Sequence, residues 1–132
     1  MNLIVDTSVI IAVITNEKHK EKLIELTKGT ELTAPHALHW EIGNAFSAML
    51  KRNRVDFRQA IDAIQFYKMI PIRFCEVELD YALEISSQLK IYAYDAYFIG
   101  CASKYNGTLI SLDHGLVNAA RRFGVKTLEV AK

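Results

Sequence analysis

The segment LIVDTSVIIAVI, residues 3–14, limits the fold of this chain more than any other stretch. Leu3, Ile4 and Val5 form a short continuous apolar run, the pattern of a strand buried on both faces of a parallel sheet. One carboxylate, Asp6, and two hydroxyl residues, Thr7 and Ser8, interrupt it. Apolar residues then resume at helical spacing with Val9, Ile10, Val13 and Ile14. The interruption predicts a strand giving way to a helix, with Thr7 or Ser8 free to cap it. Asp6 is thereby expected at the carboxyl end of a central strand, where open α/β sheets hold their ligands. A carboxylate between two apolar runs is costly to bury alone, so other residues must offset that cost.

The pattern repeats along the chain. Residues 16–28 have a charged face and a thin apolar stripe of Leu23, Ile24 and Leu26, which predicts a surface helix stopped near Gly29. Residues 31–34 read as a second short strand ended by Pro35. Residues 36–51 read as a strong helix with Leu38, Ile42, Ala45, Phe46, Met49 and Leu50 on one face. Glu41 lies on its first turns, and Asn44, three residues on, can point the same way. Asp56 is a candidate N-cap for a helix over 57–69, amphipathic through Ala60, Ile61, Ile64 and Tyr67. A strand over 72–74 and a helix over 78–90 follow, the latter carrying Leu79, Ala82, Leu83, Ile85 and Leu89. Asp95 is expected to open the apolar helix AYFIGCASKY, which Asn106-Gly107 ends. Residues 108–112 form a buried strand closed by Asp113, 114–123 a helix stopped by Gly124, and 126–130 a last strand. Strands alternating with helices predict one α/β domain over residues 1–132, with a mainly parallel sheet and helices on both faces.

The 132 residues suffice for a proper core, and 16 Lys plus Arg against 15 Asp plus Glu leave no strong field of either sign. A local basic rim beside an acidic pocket stays compatible with that balance, so nucleic acid is not excluded. Cys75 and Cys101 form no CxxC pair and read as small buried hydrophobes of a reducing cytosol. The first apolar run is broken by Asp6 and has no basic leader, which gives no sign of a signal peptide. Nothing approaches the ~20 apolar residues of a membrane span. A cytoplasmic protein is expected.

Four carboxylates interrupt apolar contexts where strand meets helix or early on a helix: Asp6, Glu41, Asp95 and Asp113. Parallel strands end on one edge of the sheet, so Asp6 and Asp113 are expected to face one crevice. If all four converge, each pair about 4 Å apart repels by roughly 4 kcal/mol at an effective dielectric of about 20. Such a cluster takes up protons or requires a cation. Oxygen ligands without His or Cys suit Mg²⁺ or Mn²⁺, and such an ion accepts phosphate oxygens readily, which points to phosphoryl chemistry. Each acid also has a plainer reading: Asp6, Asp95 and Asp113 as helix caps, and Glu41 as an exposed helix residue, though Trp40 and Ile42 beside it suggest partial burial. Ser8 and Ser111 could hold a carboxylate, or simply cap and turn. Asn44 could orient Glu41 or a phosphate. His36, His39 and His114 lack metal spacing and read as solvent-facing or locally bonded. Lys51, Arg52 and Arg54, with Lys104, Arg121 and Arg122 elsewhere, read as solvated surface that could also steer phosphate.

Together these residues resemble the PIN-domain ribonucleases, and among them the VapC-type toxins of type II toxin–antitoxin modules. LIVDTSVI carries Asp6, Thr7 and Ser8; APHALHWEIGNAF carries Glu41 and Asn44; YDAYFIGCA carries Asp95; TLISLDHGLVNAARRFGV carries Ser111 and Asp113. The four motifs occur in the family's order and spacing over essentially the whole chain. The resemblance implies a three-layer α/β/α domain with a central parallel sheet of about five strands. It implies a Mg²⁺- or Mn²⁺-dependent endoribonuclease that hydrolyses RNA phosphodiesters with activated water, leaving 3′-hydroxyl and 5′-phosphate ends. Asp6 and Asp95 would be the most direct metal ligands, with Asp113 and Glu41 completing the site or acting through water. A homodimer and a cognate VapB-like antitoxin covering the groove are implied as well. The family often has Thr where this chain has Ser111 and usually Ala where it has Gly100; neither change removes a carboxylate.

Other readings fit less well. A phosphoryl-accepting receiver domain needs adjacent acids after its first strand, and Val5 precedes Asp6 here. A haloacid-dehalogenase-type phosphatase needs a second Asp at the position of Ser8. A PIN nuclease of RNA processing or decay without an antitoxin shares all of the motifs. A non-catalytic module that binds a basic partner in an acidic pocket shares the acids alone.

Overall fold

The computed structural model describes residues 2–15, 20–128 and 130. Five strands, β1 (Asn2–Val5), β2 (Glu31–Pro35), β3 (Ile72–Cys75), β4 (Thr108–Ile110) and β5 (Thr127–Leu128), form one sheet in the order β3-β2-β1-β4-β5. All four pairings are parallel. β1 sits in the middle because it is apolar throughout: Leu3, Ile4 and Val5 have no exposed surface. The chain steps from β1 outward through β2 to β3, then returns to the other side of β1. A topological switch point therefore lies between the ends of β1 and β4.

Among the described residues, seven helices cover the sheet: α1 (Thr7–Ile14), α2 (Lys20–Thr27), α3 (Ala37–Lys51), α4 (Phe57–Met69), α5 (Leu79–Leu89), α6 (Ala93–Lys104) and α7 (His114–Arg122). Helix α1 packs on α2, α3 and α4 as one layer, while α5 packs on α6, which lies across β1, β2 and β4. The result is the expected three-layer α/β/α arrangement with a five-stranded parallel sheet. Asp56 caps α4 as expected, in a reciprocal capping box with Gln59.

Several boundaries differ from the sequence reading. Asp6, not Thr7 or Ser8, caps α1, accepting from the Val9 amide at 3.4 Å. A carboxylate is at least as good a cap as a hydroxyl and lies one residue earlier, where the chain is still extended. Asp95 does not open α6; the helix begins two residues earlier at Ala93, placing Asp95 in the first turn. β4 ends at Ile110, so Ser111 lies beyond it. Residues 16–19, 129, 131 and 132, within the expected surface helix and at the end of the last expected strand, lie outside the described residues. Leu79 and Leu83, read as part of an apolar stripe, are exposed, whereas Ala82, Ile85 and Leu89 are buried.

Two glycines answer to close packing. A β-carbon on Gly107 would stand 2.8 Å from Ile4 side-chain atoms and 3.2 Å from the Asn2 carbonyl oxygen. Gly107→Ala is expected to lower stability by about 1–3 kcal/mol, read by urea unfolding, because β1 cannot retreat from the turn. On α6, a β-carbon at Gly100 would meet Val77 Cγ1 at 3.0 Å and Ile85 Cδ1 at 3.3 Å. The glycine lets α6 approach α5 and the segment before it.

Candidate active site

Asp6 is 6% exposed and is held by three donors. Ser8 Oγ donates to Oδ1 at 2.6 Å, the Val9 amide to the same oxygen at 3.4 Å, and Ser111 Oγ to Oδ2 at 2.9 Å. The hydroxyls are themselves fixed: the Leu112 amide donates to Ser8 Oγ and the Asp113 amide to Ser111 Oγ, both at 2.9 Å. This network stitches the loop after β4 to the loop after β1, across the switch point. Burial pushes the Asp6 carboxyl up to about 6; the Ser8, Ser111 and Val9 bonds pull it down, and the nearby Asp113 adds to the rise.

Ser111→Ala removes one donor from this carboxylate and the acceptor of the Asp113 amide. It is expected to cost about 1–3 kcal/mol in unfolding at neutral pH, with a smaller loss in acid, where Asp6 is neutral. An equal loss at both pH values would mean that the hydroxyl matters only for packing.

Glu41 reaches the same crevice from α3. Thr7 Oγ1 donates to its Oε1 at 3.0 Å, while Oε2 is buried without a hydrogen-bond partner. Burial drives its carboxyl up to about 7, opposed by the Thr7 bond and reinforced by the charges of Asp6 and Asp95. Asp95, half-buried on α6, is raised by burial and then by Asp113. Asp113 caps α7, with Oδ1 accepting from the Gly115 and Leu116 amides at 2.9 and 3.3 Å. The four acids thus close a ring of mutual repulsion: Asp6 with Asp113 and Glu41, Asp95 with the same two. Residues separated by more than a hundred positions meet at one end of the sheet.

The helix-cap readings and the cluster reading are therefore compatible: Asp6 and Asp113 cap helices and face the crevice together. Among the described residues, no three His, Cys, Asp or Glu side chains stand together tightly enough to hold a metal ion as placed. The donor chemistry nevertheless fits a hard cation: oxygen ligands only, the Asp6, Glu41 and Asp95 carboxyls raised by burial and neighbouring charge, and an unpaired buried Glu41 Oε2. Asn44 does not join them. It is exposed and borders a groove with Trp40, Ser47 and Lys68, and among the described residues no hydrogen bond ties its side chain to the acids. Trp40, taken as a sign that Glu41 is covered, is itself 71% exposed; the α1 residue Thr7 supplies the cover instead. Thr7, which the sequence carries in the first motif and which reads there as a cap, is the residue whose bond to Glu41 the sequence did not show; the hydroxyl directly after the strand-end acid was the signal.

His39 and His36 stay local: His39 Nδ1 lies 3.1 Å from Tyr67 Oη, and His36 stacks on Phe74. Lys51, Arg52, Arg54 and Lys104 are exposed, as are Arg121 and Arg122, which donate to Thr127 Oγ1 and the Leu89 carbonyl. Cys75 and Cys101 are buried and free. No helix among the described residues is long and apolar enough to cross a membrane.

Comparison with solved structures finds the same fold in several proteins. VapBC2 from Rickettsia felis, bound to a DNA fragment from their promoter, superposes with a TM-score of 0.71 at 14% identity, covering 97% of this chain and 98% of that one. PAE2754 from Pyrobaculum aerophilum gives 0.70 at 21% identity, with 96% and 89% covered. Mycobacterium tuberculosis VapC20, a Sarcin-Ricin loop cleaving toxin, gives 0.64 at 16%, with 89% and 94% covered. No curated protein matches the sequence. The PIN domain family model matches residues 3–122, taking in every strand but β5 and all four acids, and the chain belongs to the PIN-domain family.

Proposed function

We propose that the chain is a Mg²⁺- or Mn²⁺-dependent endoribonuclease of the VapC toxin type, acting as a single domain in the cytoplasm. The observation that carries the reading is the pairwise interaction of four acids, one of them Glu41 with its buried unpaired Oε2, at a switch point of a PIN fold. Asp6, Asp95, Asp113 and Glu41 would hold the cation. When bound, the ion supplies charge for the phosphate and acidifies a water. Ser8 and Ser111 fix the rotamer of Asp6, and Thr7 fixes that of Glu41, so the donors need little reorganisation. Glu41, placed beside the ion, would take the proton from the attacking water. The water oxygen joins phosphorus as the P–O3′ bond breaks, and the departing oxygen takes a proton from solvent. The products are 3′-hydroxyl and 5′-phosphate ends.

The resemblance to VapC-type toxins and the likeness to VapC20 and VapBC2 support a toxin restrained by a VapB-like antitoxin. Leu79 and Leu83, exposed one turn apart on α5, offer apolar surface for a homodimer. The test is sequencing of RNA ends after brief induction of the wild type and of Asp95→Asn. New ends and growth arrest are expected from the wild type alone, with arrest relieved by a small protein encoded beside it. Purified wild type should lose cleavage on chelation. Cleavage that survives chelation, or in Asp95→Asn, would overturn the assignment of a metal-dependent site to these acids. Cleavage without arrest would favour an RNA-processing enzyme.

A further inference from the structure

A second concave feature is a cavity of about 300 Å³ lined by Pro35, His36, Trp40, Val77, Tyr94 and Tyr97, with Glu76 also on its wall. It sits at the same edge of the sheet as the acids: Pro35 ends β2, Val77 follows β3, and Tyr94 is in the first turn of α6. Its size is at the lower end of clefts that take an organic ligand, roughly 300–1,000 Å³. The walls are aromatic and open. Trp40 is 71% and Tyr94 61% exposed, and Tyr94 meets Tyr97 edge-to-face with centroids 6.2 Å apart.

The first turns of α3 tie this cavity to the acids. Ala37, also on the cavity wall, lies one helical turn before Glu41 on the same face of α3, a rise of about 6 Å. A strand with one phosphate at the acids would therefore bring a neighbouring base to the aromatic walls. Aromatic faces beside a phosphate site are how single-stranded nucleic acid is held without reading sequence. A second copy of this chain has an uncharged apolar surface elsewhere, on α5, where Leu79 and Leu83 are exposed.

We propose that this cavity is a base subsite, in which an unpaired nucleobase of single-stranded RNA stacks on Trp40 and Tyr94 next to the scissile phosphate. The inference rests on the nuclease reading of the acidic site. Trp40 is the one tryptophan in the sequence, so its fluorescence reports the contact directly. The test titrates the non-cleaving Asp6→Asn chain, without divalent ions, with short single-stranded oligoadenylate and with an abasic ribose-phosphate strand of equal length. Quenching by the first and not the second is expected. In cleavage assays Trp40→Ala and Tyr94→Ala should each raise KM about tenfold with kcat little changed, and Trp40→Phe should recover most of the loss. Circular dichroism checks that these surface variants fold. Equal quenching by both strands overturns the proposal, as does an unchanged KM in both alanine variants of an enzyme that cleaves RNA. Base-dependent quenching by a chain whose wild type cleaves no RNA keeps the subsite and removes the nuclease. A wild-type dimer that both alanine variants split, without quenching, would assign the cavity to a second copy and overturn the proposal.

Discussion

Asp6→Asn is expected to abolish RNA cleavage and, in the same molecule, to raise the stability of the metal-free chain. Asp6 has a carboxyl near 6 in the folded chain against an ordinary value of 3.8. The folded state thus binds its proton more tightly than the unfolded state does. Stability from this group is greatest below about pH 4, falls as pH rises toward 6, and stays low above it. The difference corresponds to about 3 kcal/mol at neutral pH. Asparagine is neutral at every pH, removes that cost, and can keep the network: its oxygen accepts from Ser8 and the Val9 amide while its amide donates to Ser111. Urea unfolding without divalent ions measures the gain. A variant that is inactive and less stable would mean that the wild-type carboxylate is well paired, and that no cation is needed to settle it.

Acidification should weaken the protein's hold on Mg²⁺ steeply. The ion competes with protons on Asp6, near 6, and Glu41, near 7, and these acids repel each other, so they titrate as a coupled pair. Displacing one proton from each makes the apparent affinity roughly a hundredfold weaker at about pH 5.5 than at about pH 7.5. Thermal unfolding with and without Mg²⁺ at the two pH values measures it: the metal-induced rise in Tm is large near neutrality and nearly gone in acid. Glu41→Gln should retain only the shallower dependence left by Asp6. A rise in Tm independent of pH would place the ion elsewhere.

The fold was legible in the sequence because its strong signals are local. An apolar strand ending in Asp6, a strand ended by Pro35, and an apolar strand before Ser111 each announce a buried parallel strand followed by a helix. Strand order and the convergence of the acids follow from the crossovers, which give Asp6 and Asp113 a shared edge. What was not legible depends on rotamers. Nothing in residues 36–51 says that Glu41 turns toward Thr7 while Asn44 turns to solvent, since both lie within one helical arc. Asp95 looked like a cap because it stands directly before the apolar run AYFIGCASKY, yet α6 starts two residues earlier, at Ala93, with Asp95 in its first turn. The exposed Trp40 misled in the same way: a large aromatic beside an acid reads as core, and here it lines an open cavity.

The account stands on one requirement, that Asp6, Glu41, Asp95 and Asp113 share a single divalent cation. Mn²⁺ titration followed by electron paramagnetic resonance at neutral pH addresses it without any substrate. The wild type should take up Mn²⁺ saturably, with Mg²⁺ in competition, while Asp6→Asn and Asp95→Asn should leave the free-ion signal essentially undiminished. Undiminished uptake in both variants, or none in the wild type, would contradict it.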